Sequence, residues 1–155
     1  MTAEIWFYHL QWQPLEKILP GLIEKSLERR WRVAIQARSE ERLQSLDSWL
    51  WTFDEESFLA HGRAGDADPE LQPVYLTTGT ENPNGAAIRL FVEGAEISPA
   101  LAGPGAGYAR AVALFDGANG EELAVARAQW KELKEQGFAL TYWQQGDDGR
   151  WEKEA

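Results

Sequence analysis

Apolar positions along this chain switch between the periods of strand and helix. Residues 5–10 (I-W-F-Y-H-L) are a run of aromatic and branched residues that predicts a buried first strand. Leu15, Ile18, Leu19, Leu22, Ile23, Leu27 and Trp31 then recur at helical spacing and predict an amphipathic helix over 15–31. Pro20 falls in its first turns, where it marks a late start or a kink. Residues 32–37 read as a short second strand. Ser39 follows as an N-cap, with Glu40 and Glu41 at the positive end of the next helix dipole. Leu43, Leu46 and Leu50 are the inward positions of that second helix.

A strand-helix-strand-helix opening predicts parallel strands joined by right-handed crossovers. Residues 62–73, with two glycines, two prolines and three acids, read as a long surface loop. A third strand is expected over 73–77 and a turn at 82–85. Residues 86–92 and 95–97 are expected to form a hairpin across Glu93-Gly94. After a glycine-rich loop over 98–107 come a strand at 110–115, a helix at 121–136 with Gly137 as its C′ residue, and a last strand at 138–144. The reading is one α/β domain over 1–145, followed by a polar tail over 146–155. It has three layers, with a mixed, mostly parallel sheet flanked by helices in a Rossmann-like order.

Charge changes the picture more than composition does. The net charge is −10, and residues 43–123 carry 13 acidic groups against 3 basic ones. Such a field repels nucleic-acid backbones, so protein partners are expected before direct DNA contact. The absence of cysteine excludes disulfides, thiolate metal sites and cysteine nucleophiles, and suits a reducing cytoplasm. No run reaches the roughly 20 apolar residues of a membrane span, and the start Met1-Thr2-Ala3-Glu4 has no basic region of a signal peptide.

The strand-helix opening invites a nucleotide, but the chemistry for one is missing. The turn after the first strand, Gln11-Trp-Gln-Pro14, contains no glycine, and no G-K-[ST] follows any strand. His9 and His61 are the only histidines, and neither has a serine elbow or a converging ligand set around it. No catalytic residue, cofactor or metal site is therefore expected. The helix at 121–136 is more specific. Arg127, Lys131 and Lys134 share one face, with Trp130 about 60° round from Arg127. That face is either a solvated charged stripe, helped by Lys131–Glu135 pairing, or one wall of a basic-aromatic groove for an acidic peptide. Trp49 and Trp51, two residues apart at the end of a helix, cannot both face the core. One of them packs elsewhere or meets a partner.

Taken in order, F-Y-H-L, P-L-E-K-x-L-P-x-L-I-E-K-S-L-E-R, S-E-E-R-L-x-x-L-D-x-x-L-W-T-F, S-F-L-A-H-G, Q-P-V-Y-L-T, N-P-N-G-A, L-F-D-G and A-R-A-Q-W-K-E-L-K-E-Q-G-F resemble the chi subunit of bacterial DNA polymerase III over nearly the whole chain. The resemblance implies a non-catalytic accessory subunit of the clamp loader in the cytoplasmic replisome. Its partner would be the acidic C-terminal peptide of single-stranded DNA-binding protein, ending in Pro-Phe, with DNA contacted indirectly. It implies a peptide site at Trp51, Arg127 and Lys131, to which helix geometry adds Trp130 and Lys134. It also implies that Phe58 docks the psi subunit or another partner. Members can carry a further lysine one turn before the arginine, where this chain has Leu123, which shifts weight onto Trp51. Trp143 and Trp151 lie in an extended tail, where they complete the sheet or serve another partner. Two alternatives stay open: a direct binder of single-stranded DNA that stacks bases on tryptophans, and a nucleotide-dependent enzyme on the same fold.

Overall fold

The strand Glu4–Leu10 (β1) is hydrogen-bonded on both sides, which explains why its sequence has no polar alternation. Ile5 and Phe7 point to one face of the sheet, Trp6 and Tyr8 to the other. The computed structural model describes residues 3–11, 13–52, 62–102, 106–146 and 150–154, with the backbone alone at 51 and 52. Within these residues the chain continues through α1 (Leu15–Glu28), β2 (Val33–Gln36), α2 (Glu40–Thr52), β3 (Gly62–Arg63), β4 (Val74–Thr77), β5 (Ile88–Phe91), α3 (Ser98–Ala102), β6 (Arg110–Asp116), α4 (Gly120–Glu135), β7 (Leu140–Gln145) and β8 (Trp151–Lys153). The strands form one sheet in the order β3-β4-β2-β5-β6-β1-β7-β8. All neighbours are parallel except β7 and β8.

The helices divide between the two faces. Leu19 and Ile23 of α1 and Leu43, Leu46 and Leu50 of α2 pack with Val33, Ile35, Val74 and Leu76 on one face. On the other face, Ala126 and Leu133 of α4 pack with Ile5, Phe7, Ala113 and Phe115. The single mostly parallel α/β domain expected from the sequence is thus the observed architecture.

Pro20 lies inside α1, buried, without ending it. Lacking an N–H, it cannot donate to the Glu16 carbonyl one turn back. That carbonyl instead accepts the indole N–H of Trp49 at 2.8 Å. Trp49 is therefore half-buried across α1, which settles how a helix with tryptophans at 49 and 51 disposes of the first.

Two expectations are corrected. Residues 86–92 and 95–97 make no hairpin. β5 is an internal strand with parallel neighbours on both sides, and the chain leaves it through a left-handed Glu93-Gly94 turn into α3. The loop expected over 62–73 contains the two-residue edge strand β3 and a short helical turn at Pro69–Leu71. Of the two readings open for the tail, the structure shows the one in which it completes the sheet: β8 pairs antiparallel with β7, and Trp151 stacks on Tyr8 with centroids 4.7 Å apart.

Arg89 on β5 is fully buried. It donates to Gln36 Oε1 at 3.0 and 2.8 Å, to the carbonyls of Gly79 (2.6 Å) and Glu81 (2.8 Å), and to the Tyr108 hydroxyl (3.1 Å). The Glu81 carboxylate nearby accepts from Tyr75 and Thr77, each at 2.7 Å. Burial, with the Glu81 carboxylate as partner, pushes the Tyr75 phenol up to about 12. Burial opposes the Glu81 charge, yet the bonds from Thr77 and Tyr75 hold its carboxyl below the usual range. Arg89→Met should strand several of these acceptors and lower the unfolding free energy by about 3 kcal/mol or more. Urea denaturation measures it, and a loss under about 1 kcal/mol would contradict the assigned network.

Candidate functional site

Asn119 starts α4 by accepting the backbone N–H groups of Glu121 and Glu122 at 3.0 and 3.1 Å, and Gly137 ends it with φ +89°. One flank of the helix is tied down. Gln129 accepts from the Ile97 N–H (2.8 Å) and donates to the Ala95 carbonyl (3.2 Å), and Gln136 bonds Ser98. The opposite flank carries Arg127, Lys131 and Lys134. All three are exposed and form no ion pair among the described residues. The Lys131–Glu135 pairing that would make this a plain solvated stripe is not formed.

Beside that flank runs an aromatic floor. Trp130 is half-buried and meets Phe7 edge-on at 5.3 Å and Tyr142 of β7 at 5.7 Å. The Tyr142 hydroxyl is 2.6 Å from His9 Nδ1, and both rings contact Phe115. Burial first, and then the Arg127 charge, push the His9 imidazole down, against the pull of Asp116. Burial pushes the Tyr142 phenol up while Arg127 opposes it. Gly117 is required here, because a Cβ at that position would fall inside the His9 ring. The result is a basic ridge along an apolar floor, able to hold a carboxylate and an aromatic group side by side.

The structure brings Arg127, Trp130, Lys131 and Lys134 together. The side chain of Trp51 lies outside the described residues; its backbone belongs to the last turn of α2, whose buried leucines pack on the other face of the sheet from α4. Phe58 and His61 lie outside the described residues. His9 and Tyr142 were missed as floor residues. They come from β1 and β7, whose adjacency follows from strand order and not from local pattern.

Folds of this order take nucleotides in the crevice beyond the strand C-termini. That crevice, about 480 Å³, is lined by Glu16, Glu93, Asp116 and Glu122, with Arg42 among them. The chain's own groups occupy its helix starts. Glu93 accepts from the N–H groups of Arg38 and Ser39 at 3.0 and 2.9 Å, and Asn119 caps α4. A phosphate would meet carboxylates there, not a cradle of free donors. Burial, together with Asp116 and Glu93, holds the Glu122 carboxyl above the usual range. A raised folded-state value contributes stability below the ordinary carboxylate pKa, which is lost as pH rises through the raised one. Glu122→Gln should therefore raise the thermal midpoint at pH 7 and give no gain near pH ~3. An equal gain at both pH values would show that charge is not the cause.

Among the described residues no cluster of acids and histidines could hold a metal, and no helix is long and apolar enough to cross a membrane. The family described as DNA polymerase III chi subunit, HolC, matches residues 1–141. A similar protein is the probable DNA polymerase III subunit chi of Rickettsia prowazekii (strain Madrid E). It is 29% identical over 94 residues, which are 61% of this chain and 57% of that one. The chain thus spans little more than half the length of the curated relative it matches. With that match running from the first residue through β1, α4 and the start of β7, the chain belongs to the DNA polymerase III chi subunit family.

Proposed function

We propose that this protein is a non-catalytic replisome adaptor. It holds the acidic, Pro-Phe-ended C-terminal peptide of single-stranded DNA-binding protein in the groove between α4 and β7, and so links that protein to the clamp loader. One observation carries the reading: an acidic chain of net charge −10 keeps three exposed, unpaired cations in a row beside half-buried aromatic rings. Arg127 and Lys131, one helical turn apart, take the peptide's carboxylates, Arg127 as a bidentate fork. Trp130 and Tyr142 receive the terminal phenylalanine, and Lys134 extends the attraction along the acidic stretch. Trp51 is a further wall of the peptide site in this reading, and Phe58 a separate docking point for psi or another clamp-loader subunit. No cofactor enters this role.

Calorimetry with a synthetic acidic peptide ending in Pro-Phe tests the reading. Arg127→Ala and Lys131→Ala should each weaken binding by about tenfold or more, the scale of one charge-assisted contact, with the loss shrinking as salt rises. Trp51→Ala should also weaken binding, with little change in its salt dependence. Unchanged affinity in both cation variants would remove the assignment.

The α1 face favours a second reading. Arg29 lies over Trp31 at 5.3 Å, and Arg110 lies over Trp31 at 5.4 Å and over Trp6 at 3.8 Å. Alternating guanidinium and indole groups make a platform on which single-stranded bases stack. The net charge of −10 opposes it. A gel shift with oligothymidylate and no partner protein decides, and no shift at low salt eliminates direct DNA binding.

A further inference from the structure

The aromatic floor beside α4 has a second bank, and its charge is opposite. In the antiparallel pairing of β7 with β8, Gln144 faces Glu152 and Trp143 faces Lys153. The ladder continues with the Glu154 N–H donating to the Tyr142 carbonyl at 2.8 Å. Trp143 and Trp151 pack toward the α1 face, as the stacking of Trp151 on Tyr8 fixes. Side chains alternate along a strand, so Glu152 and Glu154 point to the α4 face, alongside Gln144 and Tyr142. Both are exposed. Tyr142 lies between the banks and feels both: Arg127 draws its phenol pKa down and Glu154 draws it up.

We propose that Glu152 and Glu154 are specificity-determining residues of this groove, restricting it to an acidic peptide that presents its carboxylates on one side only. The inference rests on the peptide-binding reading given above. A ligand with carboxylates toward α4 and an apolar or uncharged side toward β8 fits between the banks. A strand charged all round, whether a polyanionic peptide or a nucleic-acid backbone, brings anions against Glu152 and Glu154 and is rejected. The acidic bank discriminates by repulsion, which also explains why a protein that gathers cations on one helix places carboxylates opposite them.

The test compares two probes of equal length on the full chain by calorimetry at low salt: a synthetic acidic peptide ending in Pro-Phe, and oligoaspartate. Glu152→Gln with Glu154→Gln should raise oligoaspartate affinity by about fivefold or more and that of the Pro-Phe peptide by about twofold, the scale of one or two exposed charge contacts. Glu28→Gln with Glu41→Gln, the same charge change on exposed α1 and α2 positions, should move neither. Equal gains for both probes, or equal gains in the control, would reduce the effect to bulk charge and overturn the proposal, as would no gain at all. If the natural chain binds neither probe, the peptide-binding reading fails on its own. The Gln variant then binding the Pro-Phe peptide would still support an acidic bank, while binding by neither form would overturn both.

Discussion

A fully buried guanidinium with no carboxylate in direct contact among the described residues finds its partners among neutral oxygens, and those oxygens tie three segments of this molecule together. Arg89 sits on an internal strand and reaches a side chain of β2, two carbonyls in the segment after β4, and a hydroxyl just before β6. An unmade bond to a buried charge is expensive, so the segment from 79 to 86 has little freedom to leave the sheet. Glu81 supports the arrangement from nearby, its own charge held by Tyr75 and Thr77. No helix of the size of α4 is needed on this half of the face, because hydrogen-bonded loop and polar side chains close it.

The other half of the same face is built from apolar contact, and the basic ridge of α4 lies there. α4 is clamped on one flank by Gln129 and Gln136, which leaves the opposite flank to hold its cations in solvent. The floor is rigid because Trp130, Tyr142, His9 and Phe115 brace one another, edge to face and by the His9–Tyr142 bond. This chi-family chain thus carries a preorganised surface, so that a ligand bound there would leave little side-chain ordering to the moment of association.

Much of this was legible from the chain. Periodicity found β1, α1, α2 and α4, because each buries a stripe that tertiary contact only reinforces. The cation stripe of α4 was equally visible, since Arg127, Lys131 and Lys134 depend on nothing beyond 3.6 residues per turn. What failed needed long-range information. Residues 86–97 look like a hairpin because a turn separates two apolar runs, but β5 already has partners on both edges and no position is left for a third. β3 and β8 are too short to show periodicity; they exist because an edge offers unpaired hydrogen-bonding groups. Their brevity, and the charges on β8, keep those edges from recruiting further strands.

Pro20 and Trp49 bear on how this chain can change. A proline in a helix is usually a defect confined to its own helix, yet here the vacancy it creates is filled from another one. Substituting Trp49 alone leaves a carbonyl without a donor, and substituting Pro20 alone supplies a second donor for an oxygen already engaged. Each residue makes sense only against the background of the other. The pair is an epistatic unit, and any redesign of the α1–α2 contact has to treat two positions 29 residues apart as a single choice.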